Sequence, residues 1–374
     1  MAAVTHSPVI INFITGQPKG NRSGGFSALS AAVFDALRSV GETHYVGPIA
    51  PPIIAHQKFR SKLLRILGGK GAFFFFSRAR LTRIAQAVNL TAADLDVFHG
   101  FTPWIATRPS HPYLALSDCT FRDYMNVFHL REKFADEDLI RIEQSEATWL
   151  KQARLVLFTS EWAARRAISD YGLNEACVKW VGIFGAIEEP LYDAYAGGNS
   201  FAFISTDFEA KGGAIALAAF REIRRWRPDI SLFVVGDAPV GLKEPGVEVM
   251  GFLRKEIAGE HERLCSIFTS ARALIHPTRS DISPHLIVEA GYFGCPVISS
   301  RRFAIPELID DNVSGVLLDD PADVGALASA MMRLLEDGSA YQAMRRATWH
   351  KARAQHSRAA FEKRVADCVG EALL

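Results

Sequence analysis

The chain reads as an α/β protein built from two doubly wound parallel sheets. Three observations carry that prediction. Short apolar runs of strand length alternate with longer amphipathic segments along most of the sequence. The runs are apolar throughout, as in strands covered on both faces. A polar, loose stretch at 188–200, with Pro190 and Gly197-Gly198, then interrupts the alternation near the middle. At 374 residues there is material for two cores of ordinary size. The expected partition is a first domain over 1–187, a linker over 188–200, a second domain over 201–345 and a helical tail over 346–374.

In the first half, 9–15 (VIINFIT) reads as a buried strand, 16–25 as a glycine-rich loop and 26–40 as an amphipathic helix. The loop is not a nucleotide-triphosphatase loop, because Lys19 precedes Gly20. Nor is the spacing of Gly16, Gly20 and Gly24 the dinucleotide fingerprint. Residues 58–67 have helical spacing, with Phe59, Leu63, Ile66 and Leu67 on one side. Asp94-Leu95-Asp96 has the look of a metal-binding pair. Asp94 is expected instead to end a helix and Asp96 to open the strand at 97–100, a common boundary use of Asp. Strands at 112–116 and 155–160 follow, the second leading into a helix at 161, and 179–186 completes the domain.

The second half alternates cleanly. Strands are expected at 201–205, 231–236, 247–252, 273–275, 296–300 and 315–318, with helices at 213–226, 255–270, 284–293 and 322–335. The stretch 273–300 is the most informative. A buried strand leads through a polar segment to Pro284, suited to the first position of a helix that Gly294 stops. In such sheets ligands gather at the carboxyl ends of the strands, where helix amino termini point. The free amides of Ser283, His285 and Leu286 would favour an anion such as a diphosphate. Asp281 and Glu289 flank that helix start, eight positions apart. An acid on the loop can reach a sugar hydroxyl, and one on the helix can take the two hydroxyls of a ribose.

Asp281 to Glu289, followed by Ala290, Gly294, Pro296-Val297-Ile298 and Pro306-Glu307, resembles the donor-site signature of the retaining glycosyltransferases of family 4. The usual pattern has Glu as its first acid; here it is Asp, one methylene shorter. The resemblance implies the GT-B architecture, two Rossmann-like domains facing each other across a cleft, with a tail that crosses back to the first domain. It extends to other motifs. Lys211-Gly212 is similar to the family's Lys-Gly, whose lysine contacts the donor phosphates. An arginine common four or five positions earlier is replaced by Thr206 and Asp207, and Arg279 is a candidate substitute. Gly251-Phe252-Leu253 resembles the stretch that meets the nucleobase. Gly24-Gly25 resembles a pair whose amides approach the diphosphate, although a turn needing positive φ explains them equally. Asp118 matches a polar residue near the transferred sugar, or else caps a helix.

Composition narrows the partners. A net charge of +1 provides no field for nucleic acid. Five cysteines, far apart and without a Cys-x-x-Cys pair, argue against zinc and a disulfide framework and for a reducing cytoplasm. The opening MAAVTHSP shows no export segment, and no apolar run approaches membrane-spanning length. Yet 43–93 holds no acid and eight bases: Lys58, Arg60, Lys62, Arg65, Lys70, Arg78, Arg80 and Arg83. Four phenylalanines, Phe73 to Phe76, sit among them. Peripheral contact of 58–83 with an anionic membrane or an anionic acceptor is one reading; a solvated helix beside a buried phenylalanine run is the other.

The activity the resemblance implies is transfer of a sugar from a nucleotide diphosphate to an acceptor hydroxyl, with retention. No cofactor is expected beyond the nucleotide sugar itself. Lys211 and the helix start would stabilise the leaving diphosphate without a metal. Glu289 would hold the ribose and Asp281 the sugar, with Asp118 nearby. A catalytically silent nucleotide-sugar-binding subunit and a nucleotide-sugar epimerase are the alternatives.

Overall fold

A computed structural model describes residues 9–20, 24–67, 69–129, 131–336 and 338–374. The segment 1–8, on which the export expectation rests, lies outside them, as do 21–23 of the glycine-rich loop. Contacts divide the chain into two units. The first comprises 1–21, 26–182 and 361–374, and the second 22–25 and 183–360. The main break falls after Gly182, ahead of the expected boundary, and 346–360 groups with the second unit.

The first unit runs β1 (Ile10–Ile14), α1 (Gly25–Arg38), β2 (Glu42–Val46), α2 (Ala55–Ile66), α3 (Arg78–Ala87), β3 (Leu95–His99) and β4 (Tyr113–Ser117). It continues with α4 (Phe121–Phe128), α5 (Asp136–Leu150), β5 (Leu155–Phe158), α6 (Glu161–Tyr171) and β6 (Val178–Trp180). Its six strands are all parallel in the order β2-β1-β3-β4-β5-β6. α1 buries Ala28, Leu29, Ala32, Val33, Ala36 and Leu37, the i, i+4 stripe that its apolar spacing dictates. Ser160 caps α6 by accepting from Ala163 N at 3.2 Å, and Gly172 ends it at φ 60°.

The second unit runs β7 (Ser200–Ser205), α7 (Gly213–Arg224), β8 (Ser231–Gly236), β9 (Val247–Gly251), α8 (Ala258–Ser270), β10 (Ala271–His276) and α9 (His285–Tyr292). Then come β11 (Val297–Ser300), α10 (Ile305–Leu308), β12 (Gly315–Leu318), α11 (Val324–Glu336) and α12 (Gly338–His356). The sheet, again all parallel, has the order β12-β11-β10-β7-β8-β9. Apolar residues cover both its faces. Phe201, Phe203, Phe220 and Leu327 pack on one side, and Leu274, Ile287, Phe268 and Tyr292 on the other. Each such side chain contributes about 1.5–3 kcal/mol by leaving water. The chain ends in α13 (Arg358–Leu373), most of which groups with the first unit.

The α/β class and both parallel sheets are as the sequence predicts; several details differ. β2 was not anticipated, because its residues are only half-buried at a sheet edge and lack a continuous apolar run. Asp94 ends no helix: α3 stops at Ala87, and Asp94 Oδ2 accepts from Ile10 N at 2.8 Å. Asp96 lies inside β3, fully buried, where Asn12 Nδ2 donates to it at 2.9 Å and His111 Nδ1 lies at 3.2 Å. Pro284 is the N-cap of α9 rather than its first residue. The tail is two helices, broken at Ser357.

Candidate active site

The order of the second sheet reverses between β7 and β10, so the loops leaving those two strands open a crevice at their carboxyl ends. Lys211 stands on the first loop and Asp281 on the second. The first loop is tightly pinned. Asp207 N donates to Ser205 Oγ at 2.9 Å, Phe208 N to Asp237 Oδ2 at 2.9 Å, and Ala210 N to Asp207 Oδ1 at 3.0 Å. Asp207, at one of the positions where the resembled family carries an arginine, thus builds the turn instead of supplying positive charge. Gly212 follows at φ 83°, and a Cβ there would lie 2.4 Å from Pro277 O. Only glycine brings the two loops this close.

Their meeting makes an ion pair. Lys211 Nζ donates to Asp281 Oδ2 and to Ser280 O, both at 2.6 Å, with both side chains largely covered. His276, buried at the end of β10, places Nε2 3.5 Å from the same carboxylate oxygen. Burial by itself raises the Asp281 pKa, but His276 and the Lys211 cation outweigh it and hold the group below its usual range. Asp281 is therefore a carboxylate at neutral pH, accepting only.

α9 begins four residues on, at His285. Its leading amides, on His285 and Leu286, lie in the turn before the first internal bond from Ile287 N to Pro284 O. Burial lowers the pKa of His285, whose Nδ1 proton is donated to Phe184 O at 2.6 Å. It is a neutral imidazole that orients the helix start. The Ser283 hydroxyl is buried there without a partner among the described residues. One turn further in, Glu289 is fully buried. Its Oε1 accepts from Ala186 N at 2.9 Å and from Lys255 Nζ at 2.5 Å, while Oε2 has no partner among the described residues. A buried carboxylate oxygen left free is an acceptor for a hydroxyl.

The structure thus brings together Lys211, Asp281 and the start of α9 with Ser283, Pro284, His285 and Leu286, and sets Glu289 along that helix. Arg279 lies exposed on the loop between β10 and α9, with no ion pair among the described residues. Phe252 is exposed and Leu253 half-buried, just after Gly251 leaves β9 at φ 66°. Gly24 has φ 79° with open space beside it, and Gly25 opens α1. Asp118 belongs to the first unit, at the end of β4. It caps no helix, since Thr120 Oγ1 takes that role on α4. Burial raises its pKa against the hydrogen bond from Ser117 Oγ at 3.2 Å. Two residues escaped the sequence reading, His276 and Lys255. His276 sits where a strand ends and reads as the first residue of a loop. Lys255 meets an acid 34 positions away, which no local pattern announces.

Residues 198–337 match the family model described as Glycosyl transferases group 1. A 153-residue stretch is 30% identical to a D-inositol 3-phosphate glycosyltransferase of Segniliparus rotundus, covering 37% of this chain and 34% of that one. The chain therefore spans about a third of the length of the curated relatives it matches. Among solved structures, Anabaena Alr3699/HepE in complex with UDP and glucose aligns over 96% of this chain and 99% of its own. Its TM-score is 0.63 at 16% identity. Sucrose-phosphate synthase of Thermosynechococcus elongatus aligns over 97% and 98%, with a TM-score of 0.66 at 17% identity. Likeness at such identities shows the fold, and the fold is the two-domain Rossmann-like architecture of GT-B glycosyltransferases.

Proposed function

We propose that the chain is a retaining glycosyltransferase that moves a sugar from a nucleotide-diphosphate donor to an acceptor hydroxyl. The observation that carries this reading is the lysine–carboxylate pair at the β7/β10 switch point, beside the amino terminus of α9. A diphosphate entering there replaces Asp281 as the partner of Lys211 and meets the amides of His285 and Leu286. Asp281, released, accepts from a hydroxyl of the sugar. Glu289 Oε2 accepts from the ribose, as the free acceptor on that helix. The anomeric C–O bond then breaks and its electron pair leaves with the diphosphate, whose charge Lys211 and the helix start stabilise. The acceptor oxygen bonds the same face of the anomeric carbon, and its proton passes to the departing phosphate oxygen. Lys211 and the helix terminus supply the positive charge that a metal ion provides in other sites.

HepE holds UDP and glucose, and the Segniliparus relative is named for inositol phosphate glycosylation, so UDP-glucose is the first donor to offer. The test is release of the nucleoside diphosphate from UDP-, GDP- and ADP-sugars, with and without candidate acceptor alcohols. Release from one donor class, lost on Lys211→Ala, is the expected result. Release that Lys211→Ala leaves intact would place the phosphate site elsewhere. A binding subunit without turnover is the second reading. It is favoured by the two acids each already neutralised by a lysine, Asp281 by Lys211 and Glu289 by Lys255. Saturable binding of a nucleotide sugar with no release under any acceptor would select it.

A further inference from the structure

α2 is turned the opposite way from a core helix. Of its described residues Ser61 alone is buried, and its Oγ donates to Ala72 O at 2.8 Å. At about 100° per residue, Phe59, Leu63, Ile66 and the C-cap Leu67 fall on the far side from Ser61. Phe59 and Ile66 are each 70% exposed, Leu67 74% and Leu63 45%. Side chains of that size are the ones an amphipathic helix ordinarily hides. Here the apolar stripe faces solvent, and exposed bases border it, Lys58 and Lys62 along one edge and Arg60 along the other. Other bases of the acid-free stretch have internal partners: Lys70 pairs with Asp136 at 2.6 Å, Arg65 lies over the ring of Phe134, and Arg80 Nε donates to Pro51 O at 3.1 Å. Lys58, Arg60 and Lys62 form no ion pair among the described residues.

We infer that α2 is a docking surface for an anionic lipid bilayer. The stripe of Phe59, Leu63, Ile66 and Leu67 enters the interface, and Lys58, Arg60 and Lys62 lie among the headgroups. The paired requirement of apolar contact and negative charge selects this occupant. A second copy would bring the same three cations against these three, and a neutral surface would leave them unmatched. Of the phenylalanine run, Phe73 and Phe74 are buried, with Phe73 packed on Phe121 and Phe134, and Phe75 is 41% exposed. The lipid contact stands apart from sugar transfer, because none of these residues belongs to the donor site.

The test uses the full chain with vesicles of phosphatidylcholine alone or mixed with phosphatidylglycerol. Sedimentation is expected only with the mixed vesicles and at low salt, with release as the screening length shrinks from about 30 Å at 0.01 M to about 8 Å at 0.15 M. Each base contributes about fivefold to partitioning, so combined Lys58→Glu, Arg60→Glu and Lys62→Glu should lower it by on the order of a hundredfold or more. All three side chains are exposed, so the thermal midpoint should not move. Phe59→Ser with Ile66→Ser should weaken binding while keeping its salt dependence, and Phe59→Trp should shift its emission to the blue on mixed vesicles only. Absence of binding at low salt, equal binding to phosphatidylcholine, or indifference to the charge reversals would overturn the inference. So would a self-association in equilibrium sedimentation that Phe59→Ser with Ile66→Ser abolishes, which would assign the stripe to a second copy.

Discussion

Lys211 and Asp281 hold each other at 2.6 Å, and under the proposed function a bound diphosphate would part them. On that reading Lys211 would matter more as charge develops than in the resting site. Lys211→Ala is therefore expected to lower turnover about a hundredfold, the equivalent of about 3 kcal/mol, while donor affinity falls less. Steady-state kinetics and calorimetric binding check the split. Glu289 and Asp281 should separate by ligand. Glu289→Gln is expected to weaken a free nucleoside diphosphate as much as the full donor, because both carry the ribose, whereas Asp281→Asn should weaken only the full donor. Glu289 also has a structural duty, because its buried carboxylate faces Lys255. Lys255→Met leaves that charge without its cation and should cost about 3 kcal/mol, read as a lower urea midpoint. Asp281, Glu289 and Lys211 were legible as candidates, the acids through their spacing about a helix start and Lys211 through its resemblance to the Lys-Gly of family 4. His276 and Lys255 were not, because they act through contacts that only the folded chain creates.

The elements show the same division. Buried strands announced themselves as continuous apolar runs, and β8 and β12 span the predicted residues. β2, at an edge and half-buried, gave no such signal, and the buried Asp96 inside β3 was mistaken for a boundary because its partners Asn12 and His111 are remote in sequence. The group that joins the helices of the first unit was likewise invisible. Glu146 of α5 accepts from Thr102 Oγ1 at 2.6 Å, Phe121 N at 2.6 Å and Tyr171 Oη at 2.8 Å, linking α4 and α6. Burial lifts its pKa from 4.5 to about 7 despite those donors. A carboxyl whose folded pKa is raised favours the folded state below its unfolded pKa and loses that contribution as pH climbs through the folded one. Stability should accordingly fall by about 3 kcal/mol between about pH 4.5 and pH 7. Glu146→Gln, whose amide Thr102 can accept by turning its hydroxyl, should remove the slope. Urea midpoints of both proteins across that range check it; parallel curves would contradict it. Gly212→Ala tests the loop that carries Lys211. With φ 83° and Pro277 O in the way, it should cost about 1–3 kcal/mol and move Lys211 off Asp281.

At the scale of the whole molecule, the chain folds as two units. Both sheets are parallel and six-stranded, and both reverse their strand order, the first between β1 and β3 and the second between β7 and β10, where Lys211 and Asp281 meet. The family match over 198–337 falls on that same unit. The first unit holds Asp118 and the outward-facing stripe of α2. The most direct test is a single-turnover assay of nucleoside diphosphate release from nucleotide sugars, with the anomeric configuration of the freed or transferred sugar followed by proton NMR. The account predicts release from one donor class, retention of the donor's configuration, and release slowed about a hundredfold in Lys211→Ala. An inverted product, or release at an unchanged rate in Lys211→Ala, would contradict it.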